Sequence, residues 1–217
     1  MNVEQARFNM IEQQIRTWNV LDPAVLALLA EMRREDFVPA AYRAMAFVDT
    51  EVPLPEGQCM LAPKMEARIL QELNLQRHER VLEVGAGSGF MAALLAHRVR
   101  SVLSLEIVPS LATMAGSNLQ RAGITNAKVR VADGARGLPD DAPFDAIVLS
   151  GSTHAVPQAL LQQLAPGGRL IGIVGDEPSM RAVRVQRLAD SRFETQDLFD
   201  TVAQRLRGFD EPSRFHF

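Results

Sequence analysis

The chain has 217 residues, of which 47% are apolar and 23% charged, and its formal net charge is −3. At roughly 100–200 residues per domain, this length predicts one domain that buries a core without a metal or a disulfide. The charge gives no sign of the basic surface of proteins that bind nucleic acids or membranes, so we predict neither partner and leave the oligomeric state open. The single cysteine and the lack of a signal-peptide pattern predict a cytoplasmic protein.

The first 78 residues predict a helical lobe with an irregular loop. Residues 2–17 have apolar side chains at helical spacing, which indicates an amphipathic helix. The predicted apolar stripe consists of Phe8, Ile11 and Ile15. Several prolines and a glycine predict a loop over residues 49–63, and residues 64–73 predict a further helix.

From residue 79 onward, strands and helices alternate. Strands are predicted at 80–84, 101–107, 128–132, 144–149 and 169–174, with helices at 90–98, 110–122 and 157–164. This alternation predicts a parallel sheet with helices on both faces. Residues 181–188 and 193–198 predict two more strands, and the short turn between them permits only antiparallel pairing. The predicted fold class is α/β, with a helical lobe (1–78) and a mostly parallel core (79–217) whose C-terminal edge is antiparallel.

The sequence Gly85-Ala86-Gly87-Ser88-Gly89 follows the first of these strands directly. Glycines here allow a tight turn and a close approach of the backbone to a ligand, and the following helix offers unpaired N–H groups. The loop indicates a nucleotide-like ligand, although a turn that merely needs glycine has the same pattern. NAD is disfavoured because its fingerprint needs a glycine where this chain has Phe90.

Acidic residues end the next two strands. Glu106 is placed to accept hydrogen bonds from ribose hydroxyls, Asp133 can accept one from an adenine amine, and Ser150 ends the fourth strand. Ligands bind at the C-terminal ends of strands in open α/β sheets, so this set favours S-adenosyl-L-methionine (SAM). The predicted SAM-binding residues are Glu83, Gly85, Ala86, Gly87, Ser88, Gly89, Glu106, Ile107, Asp133, Gly134 and Ser150.

Metal and thiol chemistry are not indicated. The four histidines lack the spacing of a metal-binding pair, so no metal is predicted. Cys59 has no evident base beside it in the sequence, which disfavours a nucleophilic role.

Several stretches resemble the protein-L-isoaspartate O-methyltransferase family, from about residue 10 to about residue 200. They are MIEQQIR at 10–16, DFVP at 36–39, AFVD at 46–49, PLP at 53–55, GQ at 57–58, VLEVG at 81–85, ADG at 132–134, APFDAI at 142–147 and GGRL at 167–170. The resemblance implies a Rossmann-like, SAM-dependent methyltransferase. It also implies methyl transfer to the α-carboxylate of an isoaspartyl residue in a damaged protein. The resulting ester closes to a succinimide, which can reopen to a normal aspartyl link.

The chain departs from this family after residues 57–58. Family members typically have a Thr-Ile-Ser-like tripeptide whose serine lies in the active site, whereas this chain has CML at 59–61. The residues that the resemblance implies at the catalytic position are Gln58, Cys59 and Leu61. Leucine cannot donate a hydrogen bond, and Lys64 and Glu66 also replace commoner aromatic or apolar residues. Two alternatives therefore stay open: a methyltransferase with another acceptor, such as a small molecule, and a SAM-binding protein without turnover.

Overall fold

The N-terminal lobe is helical, as predicted. The computed structural model describes residues 2–189 and 192–210. The lobe consists of α1 (Val3–Met10), α2 (Pro23–Glu31), the short strands β1 (Val52–Pro53) and β2 (Cys59–Met60), and α3 (Pro63–Leu73). Beyond α1 the chain continues as a π-helical turn and a 3-10 turn, so the predicted helix 2–17 is irregular in its second half. The predicted apolar stripe is wrong at Phe8, which is 58% exposed, while Met10, Ile11 and Ile15 are buried.

A seven-stranded sheet forms the rest of the chain's core. In chain order its elements are β3 (Arg80–Val84), α4 (Phe90–Ala96), β4 (Ser101–Glu106), α5 (Pro109–Arg121), β5 (Ala127–Val131), β6 (Phe144–Thr153), α6 (Gln158–Leu161), β7 (Leu164–Asp176), β8 (Ser179–Arg187) and β9 (Phe193–Asp200). The strand order is β5-β4-β3-β6-β7-β8-β9, in which β3 to β7 are parallel and β8 and β9 antiparallel. The predicted α/β fold with an antiparallel C-terminal edge is thus confirmed. The predicted helix 157–164 is wrong at its end, because Leu164 already begins β7.

The two faces of the sheet pack against different parts of the chain. Side chains alternate along β6, so that Ala146 and Val148 lie on one face while Ile147 and Leu149 lie on the other. The first face packs with the lobe, α4 and α5 in one cluster of buried apolar residues, and the second packs with α6. Because lobe and sheet share a core, we propose that residues 1–78 and 79–217 form a single domain.

The path of the chain across the sheet changes direction at β3. It runs outward from β3 to β4 and β5, and then returns to β6 on the other side of β3. Ligands of open α/β sheets bind beyond the carboxyl ends of the strands at such a switch point. The loop that follows β3 at this edge is the glycine-rich loop. None of the helices described is long and apolar enough to cross a membrane.

Candidate active site

The glycine-rich loop turns back tightly at the carboxyl end of β3. Gly85, Gly87 and Gly89 all have positive φ angles, of 93°, 52° and 85°, which favour glycine at each position. The Gly85 N–H donates to the carbonyl oxygen of Leu105 at 2.8 Å, which fixes the start of the loop on β4. Nearby, a Cβ on Gly134 would lie 2.2 Å from Cγ1 of Val84. The glycine after Asp133 is therefore needed for packing against β3, and not only for closeness to a ligand.

A buried carboxyl lies at the centre of this edge. Glu83 is fully buried and accepts hydrogen bonds from the hydroxyls of Ser104 at 2.6 Å and Ser150 at 2.8 Å. Burial raises the pKa of Glu83 to about 7, although both hydroxyls lower it. A nearby cation stabilises the ionised form of such a group, so this carboxyl suits a ligand that carries positive charge.

The other predicted acidic ligands lie further along the same edge. Glu106 is buried, and its two oxygens accept hydrogen bonds from the N–H groups of Gly87 at 2.9 Å and Val108 at 3.0 Å. Each oxygen of an ionised carboxylate has a second acceptor position, so these bonds leave capacity for ribose hydroxyls. Ile107 is 37% exposed, and Asp133 is exposed and accepts from the N–H of Ala135.

A small cavity joins the lobe to the glycine-rich loop, and we call it the loop cavity. It is lined by Cys59, Met60, Leu61, Glu66, Glu83, Gly85, Ala86, Gly87, Ser88, Phe90, Met91 and Ser150. The structure thus brings most of the predicted loop residues together with Cys59 and Leu61. Gly89, Glu106, Ile107, Asp133 and Gly134 lie outside this lining.

The three residues predicted at the catalytic position differ in their surroundings. Leu61 is 5% exposed and presents an apolar wall to the loop cavity. Burial and the neighbouring Glu51 raise the pKa of the Cys59 thiol to about 12, which disfavours thiolate chemistry. Gln58 lies outside the lining of this cavity. With the oxygen and nitrogen of its side-chain amide exchanged, the orientation that satisfies both atoms, Gln58 accepts hydrogen bonds from Nη2 and Nε of Arg207 at 3.0 and 3.1 Å.

Arg34 and Glu66 lie next to Leu61, and neither was among the predicted site residues. Arg34 is buried and donates to the Glu66 carboxylate, to the carbonyl oxygen of Leu61 at 2.8 Å and to that of Ala46 at 3.0 Å. It therefore links Ala46, Leu61 and Glu66, of which the last two line the cavity. Lys64, by contrast, donates to Asp49 at 2.8 Å instead of lining the cavity.

The segment after β9 covers the glycine-rich loop and was also missed. A Cβ on Gly85 would lie 2.7 Å from Cδ2 of Leu206, which shows how closely this side chain lies on the loop. The N–H of Leu206 donates to Ser152 at 2.8 Å, and Gln204 donates to the carbonyl oxygen of Gly57 at 2.6 Å. Sequence signals do not show which loop a remote segment covers.

Within residues 2–189 and 192–210, no three His, Cys, Asp or Glu side chains cluster so as to hold a metal ion. The predicted absence of a metal remains a prediction, as do the roles assigned to the individual site residues.

Comparisons with known proteins identify the family. The model of the protein-L-isoaspartate(D-aspartate) O-methyltransferase family matches residues 5–203. Protein-L-isoaspartate O-methyltransferase 1 of Syntrophobacter fumaroxidans is 42% identical, over 86% of this chain and 87% of that protein. Protein-L-isoaspartate O-methyltransferase 2 of Marinobacter nauticus is 40% identical over 95% of both chains.

Solved structures share the fold. The β-aspartate methyltransferase (PCMT) from Plasmodium falciparum, in complex with S-adenosyl-L-homocysteine, superposes with a TM-score of 0.77. It is 21% identical, over 95% of this chain and 99% of that one. The family model covers the helical lobe as well as the sheet, so the chain belongs to the protein-L-isoaspartate(D-aspartate) O-methyltransferase family.

Proposed function

We propose that the protein transfers a methyl group from SAM to the carboxylate of an isoaspartyl residue in a damaged protein or peptide. The observation that carries this proposal is the family match over residues 5–203, which includes the lobe that contributes Cys59 and Leu61 to the loop cavity. The reaction forms an O–C bond as the S–C bond breaks. The acceptor is already a carboxylate, so no strong base is needed.

The residues at the strand ends fit SAM. When bound, SAM would supply a methyl group on a positively charged sulfonium, and the sulfur would leave as the neutral thioether of S-adenosyl-L-homocysteine. Glu83, which is buried and whose pKa burial raises to about 7, can compensate a positive charge in the loop cavity. Glu106 and Asp133 lie at the ends of β4 and β5, where they can accept from the ribose and the adenine. Gly85, Ala86, Gly87, Ser88 and Gly89, with Ile107, Gly134 and Ser150, complete the proposed cofactor site.

Catalysis by this site consists largely of alignment. The acceptor oxygen, the methyl carbon and the sulfur must lie in line with water excluded, and such positioning can lower a barrier by roughly 7–11 kcal/mol. Arg34 supports this alignment by fixing the backbone of Leu61, and Leu206 covers the glycine-rich loop. Cys59 lies in the wall of the loop cavity, where we place the acceptor, and Gln58 precedes it in the chain.

Cofactor binding can be tested by calorimetry with SAM and S-adenosyl-L-homocysteine. We expect saturable binding that Gly87→Arg abolishes, because the side chain would meet Leu54, whose Cδ1 lies 3.3 Å from a Cβ at this position. Asp133→Ala should weaken binding roughly ten- to a hundredfold by removing a charged acceptor. Asp197→Ala on β9 serves as the matched control and should bind as the wild type does. Binding of NAD in place of SAM would contradict the proposal.

The acceptor can be tested with SAM labelled on its methyl group. An isoaspartyl peptide and the peptide of the same sequence with a normal aspartyl residue are incubated separately with the protein. Label is expected on the isoaspartyl peptide alone. One hydrogen bond to a charged group typically contributes ~1.5–3 kcal/mol. The hydroxyl that Leu61→Ser introduces should therefore raise the rate by roughly ten- to a hundredfold at most. No label on either peptide would refute isoaspartyl methylation.

A second candidate is methyl transfer to another, more apolar acceptor. The observation that favours it is the apolar wall formed by Met60, Leu61 and Phe90 in the loop cavity. In a labelled cell extract, this candidate predicts label on a compound other than an isoaspartyl protein. SAM binding with no labelled product at all would indicate a binding protein without turnover.

Location and further partners remain part of the proposal. A cytoplasmic location rests on the single cysteine of the sequence, which fits a reducing compartment. The net charge of −3 supports the expectation that neither nucleic acid nor a membrane surface is a partner.

A further inference from the structure

The wall of the loop cavity near Leu61 offers few hydrogen-bonding side chains. The side chains of Met60, Leu61 and Phe90 carry no hydrogen-bond donor. Ser150 and Ser88 also line the cavity, where the Ser150 hydroxyl donates to Glu83 at 2.8 Å and the Ser88 hydroxyl accepts from the N–H of Phe90 at 3.4 Å. An acceptor carboxylate that enters this region loses its water and needs a donor in return, since burying an unpaired charge is costly.

Glu66 brings a carboxyl group to the part of the wall that Leu61 forms. Its side chain lies in α3, is 3% exposed and lines the cavity beside Leu61. One carboxyl oxygen, Oε2, accepts from Nη1 of Arg34. The other, Oε1, has no hydrogen bond within residues 2–189 and 192–210. Arg34 also donates to the Leu61 carbonyl oxygen, so one guanidinium fixes Glu66 and the backbone of Leu61 together.

Resting on the proposed function, we propose that protonated Glu66 binds the methyl acceptor, donating a hydrogen bond from Oε1 to the acceptor carboxylate that Leu61 cannot supply. A neutral carboxyl can accept one hydrogen bond and donate another at the same time. Its carbonyl oxygen accepts from Arg34, while its hydroxyl donates into the cavity. The proton stays on Glu66 during methyl transfer, because the acceptor reacts as a carboxylate.

The surroundings of Glu66 keep it neutral at pH 7. Burial raises its pKa to about 8, and the buried Glu83 acts in the same direction, while Arg34 acts against both. The remaining titratable group of the cavity lining is Cys59, whose pKa is raised to about 12, so its thiol also stays neutral. Glu66 ionises as the pH rises through about 8, and it then loses the donor and repels the acceptor carboxylate.

The test is the pH dependence of KM for an isoaspartyl peptide that has no group titrating between pH 7 and pH 9. Initial rates are measured on the full chain at saturating SAM, as S-adenosyl-L-homocysteine formed. If only the protonated form binds the acceptor and the pKa is about 8, KM rises about tenfold from pH 7 to pH 9 while kcat changes little. Glu66→Gln keeps a neutral donor, so its KM should stay within about twofold over this range.

Glu72→Gln is the matched control. Glu72 lies on the same helix and pairs with Arg68 instead of lining the cavity, so this variant should keep the wild-type rise in KM. A wild-type KM that does not change with pH, or the same rise in Glu66→Gln, overturns the inference while leaving the proposed function intact.

A second variant covers the case in which Glu66→Gln does not fold. Leu61→Ser places a hydroxyl beside Glu66 in the wild-type background and should lower KM at pH 9 by at least about threefold, whereas an unchanged KM overturns the inference. If the wild type binds SAM by calorimetry but methylates no isoaspartyl peptide at any pH, the proposed function fails, and the role of Glu66 fails with it.

Discussion

Replacing Arg34 with leucine should lower the free energy of unfolding, because Arg34 ties together the residues behind Leu61. The guanidinium is buried, donates to the carboxyl of Glu66 and to the carbonyl oxygens of Ala46 and Leu61, and lies 5.0 Å from the ring centre of Phe90. Leucine leaves these three buried acceptor groups without their donor, and each buried acceptor that loses its hydrogen bond typically costs about 1–3 kcal/mol.

The loss can be measured by urea unfolding followed by circular dichroism. With a slope of about 2 kcal/mol per molar urea, a loss of about 4 kcal/mol lowers the midpoint by about 2 M. Arg16→Leu is the control, because Arg16 is half-exposed and pairs with Glu12 one helical turn away. Such a pair contributes only about 0.3–0.5 kcal/mol. Equal midpoint shifts in the two variants would refute the structural role assigned to Arg34.

Three further predictions follow from single sites. Gly134→Ala places a Cβ 2.2 Å from Val84 Cγ1 and should lower the free energy of unfolding in urea by about 1–3 kcal/mol. Gly116→Ala is the control and should be neutral or stabilising, because no atom lies within 4 Å of a Cβ at this position. Equal effects of the two substitutions would contradict the packing described for Gly134. Burial raises the pKa of Glu83 from 4.5 to about 7, so the stability that this group contributes is present below pH 4.5 and lost as the pH rises through 7. The urea midpoint should therefore fall from pH 5 to pH 8, and fall less in Glu83→Gln; an identical fall in both proteins would contradict the assignment. Because the pKa of Cys59 is raised to about 12, iodoacetamide at pH 8 should modify the folded protein on the order of a hundredfold more slowly than the unfolded chain, and similar rates would show that the thiol is not protected.

The parts of the fold that depend on local periodicity could be predicted from the sequence. Apolar residues at helical spacing predicted α3, whose Met65, Ile69, Leu70 and Leu73 are all buried. Strands predicted only a few residues apart, at 181–188 and 193–198, could pair only antiparallel, and β8 and β9 do. The edge of the sheet that carries the glycine-rich loop followed from alternation alone, because the carboxyl ends of parallel strands share one edge.

Features that depend on contacts between remote segments could not be predicted in this way. Arg34 stands in the charged run Arg33-Arg34-Glu35-Asp36, which has the pattern of a solvated surface, yet Arg34 is buried because Glu66 and two carbonyl oxygens satisfy its donors. Phe8 has the spacing of a core residue, but the lobe buries the neighbouring face of that helix. Leu206 reaches the glycine-rich loop only because β9 returns the chain to Ser152.

Conversion of an isoaspartyl peptide to its aspartyl form tests the central claim most directly. A methyl ester on the isoaspartyl carboxylate closes to a succinimide, which reopens in part to the normal aspartyl link. Chromatography of the peptide over repeated turnovers is therefore expected to show the aspartyl form accumulating when both the protein and SAM are present, and not when either is omitted. If SAM is consumed while the isoaspartyl peptide stays unchanged, the acceptor is a different group and the proposed function is wrong.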